Sequence, residues 1–482
     1  MLLAALVMSV TIAVGQVTTS GMNGKIASSG GESLPGATVV AVHTPSGSQY
    51  GTTTDLDGNY RIPNMNVGGP YKITVSFVGF ESYVNNEVYL NLGQTYKLSV
   101  KLSEKTATIS GVEVVGARYD IFDGNRTGTE TNVSLQTIER MPTVGRNFSD
   151  YTRLTPQARV TQGGGIEIAG TNNRYNAIYI DGAVNNDVFG LTDQGTNGGQ
   201  TGISPFSMDI LEQVSIQVAP YDIKLGGFAG AGINAVTRRG NNEFQGSAYY
   251  ITRNEGFAGK TPTDDETVDR KKLNPFSSKT YGFRLGGPII KDKLFFFVNA
   301  EIQKDETPQP FDFGTYNGDV TAEQLGQLTT KLSGYGYDAG GYTDVNRTLD
   351  GTKLFARLDW NINKVHKLMV RHQYTKAEQN SPSNSSTTAI RYANSGVLFP
   401  STTNSTAIEL KSNISNKMSN SLIIGLTSVF DDRDPMGSNF PYVRIKDGNS
   451  NIYFGSEEFS TGNQLKQNII TLTDNFEIYK GK

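Results

Sequence analysis

The sequence predicts a mainly β chain in three parts: an N-terminal immunoglobulin-like β-sandwich, a compact middle domain, and the first strands of a transmembrane antiparallel β-barrel. Three observations carry this expectation. The 482 residues are 37% hydrophobic and 10% aromatic, with 54 Gly, 23 Tyr, 23 Phe and one Trp, the mix of many turns and aromatic strands. From residue 243 onward, apolar and polar residues alternate with period two, as in strands with one face toward lipid and one toward a polar lumen. These strands are joined alternately by very short and very long connections, which a soluble sandwich does not require.

Charge and cysteine content exclude several classes. With 43 basic against 46 acidic residues and a net charge of -3, there is no polybasic footprint, so no nucleic-acid partner is expected. Cysteine is absent, which removes disulfides, thiolate metal sites, cysteine nucleophiles and an N-terminal lipid anchor. Residues 1–15, MLLAALVMSVTIAVG, form an apolar run with Ala13 and Gly15 spaced as before a signal-peptidase cut. A signal peptide with a mature start near Gln16 is expected, although no Lys or Arg precedes Lys25. No other run reaches the ~18 apolar residues of a membrane helix, so insertion requires a barrel.

Residues 20–104 read as the sandwich, since short β-prone runs are separated by Gly, Pro, Asn and Asp. The acidic turn Asp55, Asp57, Asn59 lacks the later ligands of an EF-hand and is expected to be a tight turn. LPGATVV, TTTDLDGNYRI and ITVSFVGFE together resemble the carboxypeptidase regulatory-like domain, an accessory sandwich without catalytic residues. Residues 106–118, TATISGVEVVGAR, follow as an extended segment in which Val112, Glu113, Val114 and Val115 resemble a TonB box. Such a box is captured by strand addition, which demands β-prone residues on an accessible stretch.

Residues 120–240 carry ERMPTVGRNFSDYTRLTPQARV, EIAGTNNRYNAIYIDGAVNND and LEQVSIQVAPYDIKLGGFAGAGINAVTRRG. These runs resemble the plug of TonB-dependent receptors of the Oar-like group. IYIDG reads as a buried strand ending in a turn at Asp181 and Gly182. Arg146, Arg174, Arg238 and Arg239 are candidates for ion pairs between plug and barrel wall. GAGINA matches a nucleotide-binding glycine pattern, but VTRRGNN follows where a helix is required. NEGFAGKT misses a phosphate loop at its first position, Asn254.

Residues 243–482 read as a partial barrel of eight strands centred near Ala248, Phe283, Val298, Arg357, Val370, Glu409, Ile424 and Thr473. Leu294, Phe296, Val298, Ala300 and Ile302 share one face, with Asn299, Glu301 and Gln303 on the other. Leu354, Ala356, Leu358 and Trp360 oppose Lys353, Arg357 and Asp359 in the same way, and Ile408 and Leu410 oppose Glu409 and Lys411. A charge on the lipid face costs about 2 to 4 kcal/mol at the midplane, so the alternation is selected. PIIKDK, NINKVHK and ISNKMS are the short links; the intervening connections read as long polar segments, and GGPIIKDKLFFFVNAE again resembles the Oar-like family. Eight strands enclose only their own side chains, whereas plugged transporters need about 22, so the chain is expected to be the N-terminal part of a longer barrel.

No catalytic, cofactor or metal site is expected. His43, His366 and His372 are dispersed, and no G-x-S-x-G elbow occurs. The resemblance implies an outer-membrane transporter with its N-terminal domain in the periplasm, surrounded by outer-membrane lipid. It also implies that TonB, energised with ExbB and ExbD, displaces the plug to admit a small solute, peptide or glycan. Two alternatives remain: a SusC-like glycan importer working with a surface lipoprotein lid, and an adhesion or structural protein whose barrel only anchors its loops.

Overall fold

The computed structural model describes residues 17–105, 129–141, 143, 146–161, 164–218, 226–264, 267 and 269–480. The expected signal peptide, 1–15, and the box-like segment, 106–118 with Val112, Glu113, Val114 and Val115, lie outside the described residues.

The first domain is two facing sheets. β1 (Ser20–Ser28) pairs with β4 (Asn59–Met65), β7 (Thr95–Lys97) and β8 (Val100–Leu102); the second sheet runs β3 (Ser48–Thr53), β2 (Thr38–His43), β5 (Gly68–Ser76), β6 (Tyr83–Leu90). Alternation sends Val39, Ala41, Ile73 and Val75 inward to meet Met22 and Ile26, all fully buried. Gly24 is required where β1 passes Leu98, because a Cβ there would sit 1.9 Å from the Leu98 carbonyl oxygen. In the acidic turn, the Asp55 carboxylate accepts from the backbone N–H groups of Asp57 and Asn59 at 3.0 and 2.8 Å. That carboxylate closes its own turn, as Asp does in Asx turns.

The plug is built on a five-stranded sheet. β9 (Thr129–Ser134), helix α1 (Leu135–Arg140) and helix α2 (Phe148–Thr152) lead to the small hairpin β10 (Ala158–Val160) and β11 (Ile166–Ile168). Then come β12 (Ala177–Ile180), β13 (Ala183–Val184), β14 (Leu211–Val218) and β15 (Ala231–Thr237), in the sheet order β13-β12-β15-β14-β9. The GAGINA run therefore forms strand β15, buried along its whole length, with β12 and β14 on either side.

The wall is an eight-stranded antiparallel sheet in chain order. Its first five strands are β16 (Gln245–Asn254), β17 (Ser277–Ile290), β18 (Leu294–Gln309), β19 (Val345–Asn361) and β20 (His366–Ser381). Beyond the short β21 (Ala389–Arg391), β22 (Val397–Ser415) and β23 (Met418–Pro435) continue it. After β24 (Val443–Asp447) and β25 (Ser450–Phe454), β26 (Asn463–Ile478) closes the described sheet. The two faces segregate as the period-two pattern requires: Leu354 and Leu358 are 46% and 45% exposed, while Lys353 and Arg357 beside them are 4% and 5% exposed. Leu354 and Leu358 point away from the plug, and Lys353 and Arg357 toward it.

The long connections are not merely polar segments. Helix α3 (Ala322–Gly334) starts at a capping box between Thr321 and Gln324, and β21 pairs parallel with β25, which pairs antiparallel with β24. Leu325, Leu332, Tyr337, Ile390, Tyr392 and Phe454 form a buried core beneath them. Three connections thus fold into one lobe at the end of the wall opposite the short turns.

At the short-turn end the sandwich is docked. The Ser48 hydroxyl donates to Asn361 at 3.1 Å, the Asn242 N–H to the Pro45 carbonyl at 2.9 Å, and Arg61 pairs with Glu477 at 2.6 Å. Thr18 reaches further, donating its hydroxyl to the Glu409 carboxylate on β22.

Candidate functional site

The contact between plug and wall concentrates the polar chemistry of the molecule. Its centre is the turn between β12 and β13, where Asp181 and Gly182 have φ of 46° and 77°. Two successive positive φ values define the tight hairpin turn that Asp-Gly favours. The turn is tied back into the plug by Thr237, whose N–H and hydroxyl donate to the two Asp181 oxygens at 2.9 and 2.8 Å.

Two wall arginines meet this carboxylate. Arg357 Nη1 lies 3.2 Å from Asp181 Oδ1 and also donates to the Thr237 carbonyl and hydroxyl, each at 2.9 Å. Its Nε and Nη2 grip Asp359 in a bidentate pair at 2.8 and 2.7 Å. Arg371 Nε lies 3.4 Å from Asp181 Oδ2, and its Nη2 donates to the Ile180 carbonyl at 2.6 Å. Arg357 and Arg371 are direct cross-strand partners on β19 and β20. Like charges placed opposite one another repel, so the plug carboxylate and Asp359 balance a buried cation pair in the wall.

A second buried contact lies on β18. The Glu301 carboxylate accepts from Lys353, its cross-strand partner, at 2.9 Å, from the plug's Ser207 at 2.9 Å, and from Tyr249 of β16. Further along, one face of β20 reads the plug backbone directly. Gln373 and Thr375 both donate to the Pro205 carbonyl at 2.7 Å, and Gln379 donates to the Thr201 carbonyl at 3.1 Å. Thr427 of β23 donates to the Val184 carbonyl at 3.2 Å. Most of these bonds are neutral, each worth about 0.5 to 1.5 kcal/mol net. The plug is held by many modest polar contacts and few apolar ones, chiefly Phe297 and Phe355 at the edge of its core.

The plug arginines are placed differently from the expectation of pairing with the wall. Arg146 pairs within the plug, with Asp209 at 3.4 Å, and lies over the wall's Tyr249 ring at 4.8 Å. Arg238 pairs with Glu139 of α1 at 2.9 Å, and Glu139 reaches Arg284 of β17 at 3.5 Å. Burial raises the Glu139 carboxyl, yet Arg238 and Arg284 hold it below its ordinary range. Arg239 lines a small cavity with Asp359, Glu409 and Lys411, and Arg174 packs against Gly190; neither makes an ion pair among the described residues. The polarity is reversed: at the central contact the plug supplies the carboxylate and the wall the guanidiniums. Arg371, Gln373, Thr375 and Gln379 carry no motif that marks them in the sequence. The same alternation that places Arg357 inward on β19 also places them on the plug side of β20.

A wall of alternating strands around an internal plug sheet defines an outer-membrane β-barrel protein with the architecture of TonB-dependent receptors. The solved structure of the outer membrane transporter YddB from Escherichia coli shares this fold, with a TM-score of 0.51 at 15% identity over 73% of this chain and 46% of that one. Residues 21–103 match the carboxypeptidase regulatory-like domain, and residues 236–331 match an outer membrane beta barrel domain. The chain is homologous to the TonB-dependent transporter Oar of Myxococcus xanthus, 32% identical over 277 residues that make up 55% of this chain and 25% of that protein. It is also 25% identical over 216 residues to the probable TonB-dependent siderophore receptor PirA of Acinetobacter baumannii, covering 42% of this chain and 26% of that protein. The matches span about a quarter of the length of these curated relatives. The relatives are transporters and receptors, not enzymes.

Proposed function

We propose that the protein is part of a TonB-dependent outer-membrane transporter that binds a solute at the cell surface and releases it to the periplasm when the plug is displaced. The observation that carries this reading is the polar seating of the plug around Asp181, Arg357 and Arg371. A barrel acting only as a membrane anchor has no use for an internal sheet. A plug meant to stay in place permanently is most simply sealed with apolar packing. One held by hydrogen bonds to its backbone can exchange those bonds for water, so its release costs far less than exposing an equal apolar area.

In this reading TonB, energised with ExbB and ExbD, captures Val112 to Val115 by strand addition, and the pull reaches β9 and then the plug sheet. The solute site lies on the lobe side of the plug, and ligand choice resides in the connections that build the lobe. Deleting residues 111–115 in the full-length protein tests the coupling. Loss of energised uptake with unchanged surface level is expected, and uptake persisting unchanged contradicts the reading.

A further inference from the structure

One end of the sandwich carries two apolar side chains that the domain does not use. β2 pairs with β3 and β5 on its two sides, and Thr38 faces both Thr53 and Ser76. The turns that follow these two strands therefore leave the same end of the domain, about 10 Å apart at their base. At their tips stand Leu56, 88% exposed, and Val78, 92% exposed. The docking contacts at Pro45 and Ser48 use the turn at the other end of β2 and β3, and that of Arg61 with Glu477 leaves from the side of β4. A single exposed leucine is ordinary. Here two nearly bare aliphatic tips stand on one end of the domain, and one of them, Val78, is beside the point where the chain leaves it.

That exit point is fixed. The Glu81 N–H donates to the Ser103 carbonyl, and the Lys105 N–H donates to the Gly79 carbonyl, both at 2.9 Å. Lys105, the last described residue before the box-like segment, is thus hydrogen-bonded next to Val78. From Lys105, Val112 is at most about 25 Å of extended chain away. A strand-capturing domain of ~100 residues has a radius of gyration of about 13 Å. A domain of that size clasping Val112 to Val115 has Val78 and Leu56 within reach of its own surface.

We propose that the end of the sandwich bearing Leu56 and Val78 is a second contact surface for the periplasmic coupling protein that takes the 106–118 segment by strand addition. The inference rests on the transport reading above. It gives the accessory domain a role: the box supplies the backbone pairing, and the two aliphatic tips supply an apolar contact that strand addition to a short segment lacks. Holding the partner at two points also raises the effective concentration of the box at its binding edge.

The test uses the full-length protein in the outer membrane, with a photo-crosslinking residue placed at position 56, 78 or, as a control on exposed sandwich surface, 87. Crosslinks to TonB at 56 and 78 but not at 87 are expected, and they should vanish when residues 111–115 are deleted. With purified protein and the periplasmic domain of TonB, Leu56→Asp combined with Val78→Asp should weaken binding about tenfold, the scale of one good apolar contact. Both side chains are exposed, so folding is spared, and β-sheet content is measured alongside. No crosslink and unchanged affinity, while the 111–115 deletion still abolishes uptake, overturns this inference and leaves the transport reading standing. Crosslinks that join two copies of this chain instead also overturn it. Uptake unaffected by the 111–115 deletion overturns the transport reading itself.

Discussion

Asp181, at the tip of the plug hairpin, and Arg371, on wall strand β20, lie 3.4 Å apart with side chains 2% and 0% exposed. Arg357 faces Arg371 across the strand pair and reaches the same carboxylate at 3.2 Å. Neutralising Asp181 leaves two buried guanidiniums opposed, with only Asp359, paired to Arg357, to balance them. Asp181→Asn is therefore expected to weaken plug seating by about 3 to 5 kcal/mol, the cost of stranding a buried charge. Entry of a large hydrophilic antibiotic into cells bearing the full-length protein should rise, and an unchanged barrier contradicts the assignment.

Glu301 and Lys353 form a second pair whose members are each 4% exposed. Removing either alone leaves its partner uncompensated. The double variant Glu301→Gln with Lys353→Met should be less destabilised than the sum of the singles, by about 1 to 3 kcal/mol of coupling. Thermal unfolding of the four proteins in detergent reads this directly, and strict additivity would refute the pairing.

Tyr392 is fully buried in the surface lobe and donates its hydroxyl to the Leu325 carbonyl at 3.1 Å. Tyr392→Ala should cost about 3 to 5 kcal/mol within the lobe, as for other large aromatic truncations. Because the lobe has its own core, the loss should stay local. External protease should then cut residues 310–344 and 436–462 on intact cells while the wall keeps its heat-resistant mobility on gels. Protection equal to that of the parent protein contradicts an independently cored lobe.

His43 is 4% exposed and shares a hydrogen bond of 2.7 Å with Ser46. Burial, and after it the charge of Arg239, push its imidazole down to about 3. The unfolded chain titrates near 6.5, so the folded sandwich binds fewer protons than the unfolded one between those values. Its stability is complete above about pH 6.5 and falls with acidification toward pH 3, by at most about 1.4 kcal/mol per pH unit. Hydrogen exchange at β2 and β5 should accelerate from pH 7 to 4 beyond its intrinsic pH dependence. His43→Gln should flatten that excess, and an excess that persists in the variant contradicts the attribution.

Much of the architecture is legible in sequence because strand alternation is a local signal. Each of the eight wall strands contains the residue on which alternation centres it, and Lys353, Arg357 and Leu358 fall on the expected faces. The Asp181–Gly182 turn is legible for a similar reason, since few other dipeptides accept two positive φ values. The lobe is not. Its core joins Leu325, Ile390 and Phe454, and its sheet pairs β21 with β25 in parallel across some sixty residues, which no local period records. The partner of Asp181 was equally hidden. Arginines in the plug are conspicuous in the sequence, but burial decides which charges must pair, and the buried arginines are on the wall.

If TonB pulls the plug from its seat, the wall residues facing it become accessible. Thr427 faces the plug from β23, is 4% exposed, and donates its hydroxyl to the Val184 carbonyl. Residues 1–482 contain no native cysteine, so Thr427→Cys in the full-length protein, with any cysteine outside this stretch replaced by serine, is a unique reporter of that seat. A membrane-impermeant maleimide should label it in cells with active TonB. Labelling should be lost when TonB is absent or residues 111–115 are deleted. Equal labelling in all three backgrounds contradicts plug displacement by the box.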